Sequence, residues 1–357
     1  MTMETATRKV KFGLIGAGWI GSHHGANVAR NSGAELVAVA DTRPEKAAAF
    51  VRECGLSARV SGDYQQLLQD PDIDAVIVAS PNALHAEQAV AAAEAGKHIY
   101  LEKPMAINVG DCRRVAQAIS RAGVKCAMGY HRRFNPLYQY AKQLQGEGKL
   151  GEIVFAESDY VHYIPGDWDI WEWLGKESVA GSLIHAGAGH SVDLLRYYCG
   201  EVAEVGCFKD VRMPRKIALE TEDIAAIILR FESGALARLL MFLGPITPFT
   251  FTLRLFGTKG TLDNNRVWFD SIPRFCDPGH EGDCIQLPGS WIPDNVQGGI
   301  AEPWNLCIDS FIDDVRLDRR PANDHVSGYN TAAACFAAVR SAVKHRFVQP
   351  EKLETGN

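Results

Sequence analysis

The sequence predicts two α/β domains: a doubly wound domain on a parallel sheet, then one built around a large, mostly antiparallel sheet. Three observations predict it. Short apolar runs alternate with helix-like segments over the first third of the chain, a pattern that implies right-handed crossovers and parallel strands. Near Tyr130 the composition turns basic and aromatic, and from Gly151 strand-like runs dominate. A length of 357 residues also exceeds what one simple core serves. We place the boundary so that residues 1–129 form the first domain and 130–357 the second.

The first nine residues carry no apolar core and read as a frayed end, not a secretory leader. Phe12, Leu14 and Ile15 mark the first strand. It breaks into Gly16-Ala17-Gly18-Trp19-Ile20-Gly21, a G-x-G-x-x-G turn between strand and helix. Gly16 permits the tight turn, Gly18 lets the backbone approach a pyrophosphate, and Gly21 lets helix and strand pack closely. The helix then offers its free N–H groups and positive dipole end to phosphates. Trp19 and Ile20 share that turn, Trp19 beside the ring or pyrophosphate or covering it.

Residues 35–40 (ELVAVA) read as a second buried strand, which Asp41 ends about 20 residues past Gly21. An acid there accepts the ribose hydroxyls of an adenosine, which favours NAD over NADP. Arg43, two residues on, supplies a guanidinium that would suit a 2′-phosphate instead. A helix over 44–52 ends near Gly55, and a short one over 63–69 stops at Asp70-Pro71. Residues 74–80 (DAVIVAS) form a strand buried on both faces. It ends at Ser80-Pro81-Asn82, on the carboxyl edge where such folds bind ligands. Helix 84–95 follows, then strand 98–101 running into Glu102-Lys103-Pro104, helix 111–121 and strand 124–128.

After a connecting helix at 137–145 come strands at 153–161, 202–211, 224–231, 235–242, 251–256 and 266–269. Ser233-Gly234 makes a hairpin of two of them. One helix, 191–198, precedes most of these strands, and helices at 304–315 and 330–344 close the chain.

A net charge of −6 argues against nucleic acid or an anionic membrane as partner. No apolar run approaches the roughly 20 residues of a membrane span. Nine cysteines without a C-x-x-C pair suit reduced thiols in the cytoplasm. The cluster Cys276-Asp277-Pro278-Gly279-His280-Glu281-Gly282-Asp283-Cys284 has turn residues and no evident fourth ligand, so a surface turn is expected and no metal.

Four features now stand together: the glycine turn, Asn82 with His85, Glu102-Lys103-Pro104, and His190 with Asp193. With residues 80–104 (SPNALHAEQAVAAAEAGKHIYLEKP), 128–136 (MGYHRRFNP) and 256–260 (FGTKG), the chain resembles the glucose-fructose oxidoreductase / inositol dehydrogenase / MocA (Gfo/Idh/MocA) family over nearly its whole length. The resemblance implies an NAD(P)-dependent oxidoreductase passing hydride between the nicotinamide and a secondary hydroxyl of a sugar, glycoside, inositol or related polyol. It also implies a Rossmann domain and a second domain whose sheet builds homodimers or homotetramers. Ser80, Asn82, His85 and Glu102 would then approach the cofactor.

Lys103 stands where a parallel strand ends, beside the nicotinamide expected at the switch point, before a proline suited to a cis peptide. Its ammonium would bind the substrate hydroxyl and stabilise the developing alkoxide. The resemblance makes His190 the general base. The family pattern, Gly-Gly-x-x-x-Asp-x-Gly-x-His-x-x-Asp, is altered here: Ala186 stands four residues before His190, and His185 one further back. Either one residue is inserted, giving a bulged turn, or His185 replaces the aspartate in a shifted geometry. Two adjacent histidines suppress each other's protonation, leaving a neutral base. Asp193 is expected to anchor the helix or reach substrate.

Residues 159–173 (DYVHYIPGDWDIWEW) gather Tyr160, His162, Trp168 and Trp171 with several carboxylates, suited to the apolar faces and hydroxyl edges of a sugar ring. Arg132 and Arg133 would serve or brace the same pocket. Two other readings share the cofactor site: a glycoside hydrolase working through a transient keto-sugar, and a cofactor-binding regulator without chemistry. Lys103 and His190 argue against the regulator.

Overall fold

A computed structural model describes residues 8–269, 284–286 and 303–353. The first domain alternates as read: β1 (Val10–Ile15), α1 (Trp19–Arg30), β2 (Ala34–Ala40), α2 (Pro44–Glu53), β3 (Arg59–Ser61), α3 (Gln65–Leu68), β4 (Ala75–Val78), α4 (His85–Glu94), β5 (His98–Leu101), α5 (Val109–Ala122) and β6 (Cys126–Met128). All six strands run parallel in the order β3-β2-β1-β4-β5-β6. β4 and β5 are continuous apolar runs because helices cover both faces of the sheet. Winding reverses between β1 and β4, so the connections leave their carboxyl ends in opposite directions and open a crevice there.

The linking helix α6 (Pro136–Gly146) leads to β7 (Ile153–Glu157), β8 (Tyr160–His162), α7 (Trp171–Leu174) and α8 (Glu177–Ala180). A buried π-helical turn, Ile184–Ala188, then runs into α9 (Gly189–Cys199). β9 (Val202–Asp210), β10 (Ile224–Phe231), β11 (Leu236–Leu243), β12 (Thr250–Phe251), β13 (Arg254–Gly257), β14 (Gly260–Asp263), β15 (Arg266–Phe269) and β16 (Ile285–Gln286) complete the second sheet. It is mixed: β11 pairs parallel with β7 and β8, while its other pairings are antiparallel.

Two expected strands, 153–161 and 251–256, each arrive broken in two, and the breaks face one another. Asp159 N donates to Thr252 Oγ1 (2.9 Å) and Thr252 N to the Asp159 carbonyl (3.1 Å). The Asp159 carboxylate turns toward β11 instead, accepting from Leu240 N and the Arg238 guanidinium. A short charged side chain competing for backbone donors interrupts the ladder. Strand β14 escaped the sequence reading because Gly260 and Asp263 mask its alternation. The Cys276 cluster lies outside the described residues except for Cys284.

The closing helices α10 (Trp304–Arg316) and α11 (His325–Lys344) return to the first domain. Phe311 of α10 meets Phe12 edge-on at 6.1 Å, in one cluster with Cys307 and Ile308. One side of α11 packs Tyr329, Ala332 and Ala333 against Met128 and Tyr130, while Ala334, Cys335, Ala337 and Ala338 join the core of the second sheet. Alanines let both sheets approach a single helix closely.

Gly21 has no room for a side chain, since a Cβ would fall on the Gly16 carbonyl oxygen. Gly21→Ala is expected to lose about 1–3 kcal/mol in urea unfolding; an unchanged midpoint would contradict this packing.

Candidate active site

The crevice is lined first by the glycine turn. Gly16 has φ +96°, and a Cβ there would stand 2.7 Å from the Ala79 carbonyl oxygen, so both conformation and space require glycine. Gly18 differs: its φ is −72° and a Cβ would meet nothing within 4 Å. The fold leaves Gly18 free to be any residue, so its smoothness serves whatever lies outside the turn. No side chain caps α1, whose first N–H groups face the same space. Asp41 is pinned across the turn: Ala17 N donates to Oδ2 and Arg43 N to Oδ1, both at 2.9 Å. These residues fit a dinucleotide, with the carboxylate where an adenosine ribose would lie. Ile20 is half-buried, Arg43 exposed. Trp19 is 71% exposed and meets His23 and Trp304 edge-on.

The loops after β4 and β5 form the next wall. The His85 ring spans them, its nitrogens 2.8 Å from the Ser80 carbonyl and 2.7 Å from that of Pro104. Burial outweighs these contacts and lowers its pKa. Ser80 Oγ donates to Gln88, and Asn82 Nδ2 donates to the Ala180 carbonyl at 2.9 Å. The polar side chains of Ser80, Asn82, His85 and Glu102, expected to approach the cofactor, brace the loops that line the crevice. Glu102 is buried, with Oε1 2.7 Å from His24 Nε2 and Oε2 accepting the Lys103 backbone N–H at 2.9 Å. Burial pushes the Glu102 carboxyl up, but the His24 hydrogen bond and the surrounding cations hold it below its ordinary value. The Lys103–Pro104 peptide is cis, as the proline position suggested.

Lys103 Nζ donates to the Ala186 carbonyl at 3.3 Å, inside the π-helical turn. A π-turn accommodates one extra residue in a helix, in keeping with the bulged alternative for the irregular spacing before His190, and within it the lysine meets a backbone carbonyl. The turn is anchored at its start by buried Glu222, which accepts from Ser182 Oγ, from Ile184 N (2.8 Å) and from Lys209 Nζ (2.7 Å).

His185 lies wholly inside, edge-on to Phe336 at 4.8 Å, with neither ring nitrogen in a well-formed hydrogen bond. Burial, then the charge of Lys103, lowers its pKa to about 3. His190 is likewise held well below its ordinary value by burial and by His131, Lys103 and Arg132; its Nδ1 has no partner among the described residues. Both histidines are therefore neutral near pH 7. The ring of His131 packs 4.6 Å from His190 and 5.9 Å from Trp304. Arg132 stacks on Phe251 and Phe249, and Tyr160 and His162 pack on Phe249.

Two substrate assignments are corrected. Trp171 is 1% exposed, its indole N–H donates to the Pro165 carbonyl and Arg215 stacks on its face at 4.2 Å, so it is core. Asp193 is also buried. Its oxygens accept from Arg133 Nε (2.6 Å), Arg133 Nη2 (2.7 Å) and Thr331 Oγ1 (3.2 Å), leaving no face for substrate. Trp168 stays on the surface, 56% exposed. Sequence reasoning missed His24, His131, Glu222 and Trp304. His24 was findable, three residues past Gly21 on the stripe that α1 buries with Gly25 and Val28. His131 lay inside the 128–136 stretch without being singled out, and Glu222 and Trp304 lie remote in sequence from their partners.

A parallel sheet with a crevice at its reversal, a glycine turn and an invading lysine define a dinucleotide-dependent oxidoreductase. Residues 10–130 match the model of an oxidoreductase family with an NAD-binding Rossmann fold, and 138–263 match the GFO/IDH/MocA C-terminal domain. The chain belongs to the Gfo/Idh/MocA family, as its sequence suggested. It is similar to the 1,5-anhydro-D-fructose reductase of Ensifer adhaerens, 31% identical over 229 residues covering 64% of this chain and 68% of that protein. The myo-inositol 2-dehydrogenase of Thermotoga maritima is 26% identical over 346 residues, 96% of this chain and 99% of that one. Levoglucosan dehydrogenase in complex with NADH and levoglucosan superposes with a TM-score of 0.85 at 26% identity, covering 97% of this chain and 100% of the other.

Breaking a buried ion pair from one side is expensive. Asp193→Ala is expected to lose about 3–5 kcal/mol of stability, read by denaturant unfolding; normal stability with only a raised substrate KM would restore Asp193 to the substrate. The buried histidines give a pH signature. His185 takes up a proton near its ordinary 6.5 when unfolded but only near 3 when folded. Stability therefore rises with pH across that window and falls on acidification. Between pH 7 and pH 5, His185→Gln is expected to lose about 2 kcal/mol less than the parent chain; identical losses would contradict a neutral buried ring.

Proposed function

We propose that the protein is an NAD-dependent dehydrogenase acting on a secondary hydroxyl of a sugar, inositol or related polyol. Residues 1–129 hold the dinucleotide, and residues 130–357 hold the substrate and the oligomer interface. The observation that carries this reading is Lys103, drawn from the end of a parallel strand onto the Ala186 carbonyl and near enough to His185 and His190 to suppress their protonation. NAD⁺, when bound, accepts the hydride at its nicotinamide. Gly16 and Gly21 shape the turn, Gly18 would leave room for the pyrophosphate, and Asp41 would accept the ribose hydroxyls, in keeping with NAD rather than NADP.

His190, neutral, takes the hydroxyl proton at a ring nitrogen, and the Lys103 ammonium steadies the alkoxide as charge develops. His185 packs behind His190 and Lys103, buried on Phe336, and backs that wall of the pocket. Arg132, Tyr160 and His162 shape the aromatic side of the pocket. The relatives' names, an anhydrofructose reductase, an inositol dehydrogenase and a levoglucosan dehydrogenase, support a cyclic polyhydroxy substrate.

The outer face of the second sheet supports a homodimer or homotetramer. Phe208 is 82% and Ile228 54% exposed there, interspersed with Arg230 and Arg238, a mixed apolar and charged face suited to a second copy. No helix among the described residues is long and apolar enough to cross a membrane. All eight described cysteines are free thiols, which supports a cytoplasmic location.

Incubation with NAD⁺ and a panel of sugars, inositols and glycosides, followed by absorbance and NMR, is expected to give a keto-product with matching NADH. Lys103→Ala is expected to lose at least about 100-fold in turnover. Free aglycone without net NADH would replace this reading with the hydrolytic one, and near-normal turnover of Lys103→Ala would remove the lysine from the chemistry.

A further inference from the structure

We propose that His24 is a positioning residue for Lys103, acting through the buried carboxylate of Glu102. The proposal rests on the role assigned to Lys103 above. His24 sits on the inner face of α1, fully shielded from solvent, with Tyr100 edge-on to its ring at 5.0 Å. Its Nε2 lies 2.7 Å from Glu102 Oε1, and Glu102 Oε2 accepts the N–H of Lys103 itself. Gly129 makes the space for this arrangement, since a Cβ there would come within 2.7 Å of Glu102 Oε1.

A carboxylate shut from water stays ionised only while it is paired and hydrogen-bonded. Without His24, Glu102 loses its side-chain partner and either takes up a proton or rotates toward other donors. Each outcome weakens the acceptor that fixes the Lys103 backbone at the strand end, and the ammonium drifts from its place. A displacement of about 1 Å at a reacting centre is worth roughly 100-fold in rate. His24 also rides on the helix whose N-terminus faces the dinucleotide, so one rigid element carries the phosphate seat and the brace of the lysine.

The test compares His24→Ala and His24→Gln, since glutamine keeps an N–H within reach of Glu102. Three readouts are needed: NAD⁺ affinity by calorimetry, kcat and KM for the sugar found above, and the NMR resonance of the Lys103 amide. In His24→Ala, NAD⁺ affinity is expected to stay within a few-fold while kcat falls about 10- to 100-fold, with KM little changed. The Lys103 amide moves upfield as its carboxylate acceptor weakens. His24→Gln recovers most of the rate and of the amide position. Unchanged kcat in His24→Ala, or glutamine no better than alanine, overturns the proposal. Should the parent chain turn over no sugar, the assigned reaction fails, while a Lys103 amide that does not move in His24→Ala overturns the His24 link by itself.

Discussion

A charge buried between two sheets has to be neutralised where it stands, and Asp193 is neutralised by the fork of Arg133. Two parallel guanidinium contacts fix angle as well as distance. Arg133 belongs to the turn that leaves β6, Asp193 to α9, the helix that also carries His190, and Thr331 to α11, which packs on both cores. One ion pair therefore ties together the first sheet, the second sheet and the closing helix. His131 and Arg132 immediately precede Arg133, so the same clamp delivers them beside His190. The candidate site lies at that junction, and its geometry depends on a buried contact beside it.

Beside the Glu102 carboxylate, the chain has assembled two buried, neutral imidazoles around Lys103. Burial and the neighbouring cations oppose protonation, so His185 and His190 are neutral at neutral pH. The π-turn makes this possible. It presents the Ala186 carbonyl to the ammonium, so a neutral dipole holds the lysine there. Glu222, deep in the second domain, fixes the start of that turn through Ser182 and Ile184.

Most of the first domain was legible because its signals are local. The glycine turn, Asp41 and the strand-ending Glu102-Lys103-Pro104 all lie next to the elements they terminate. Period and turn chemistry also gave the hairpin at Ser233-Gly234. Trp171 misled because a tryptophan among carboxylates reads the same whether it stacks on a sugar or on Arg215. The breaks at Asp159 and Thr252 were invisible because each exists only through the other, across 93 residues. The irregular stretch before His190 announced itself as a departure from pattern, and only the backbone could show that the extra residue is taken up in a π-turn. His24 carried the stripe of a core residue, and nothing local said that its partner would be a carboxylate 78 residues away.

The most direct measurement of the central claim is a crystal structure with NAD⁺ bound. The account predicts pyrophosphate over Gly18 at the start of α1, ribose on Asp41, and the nicotinamide ring facing Lys103 and His190. A dinucleotide seated elsewhere, or a nicotinamide turned away from Lys103 with the lysine still on the Ala186 carbonyl, would contradict it.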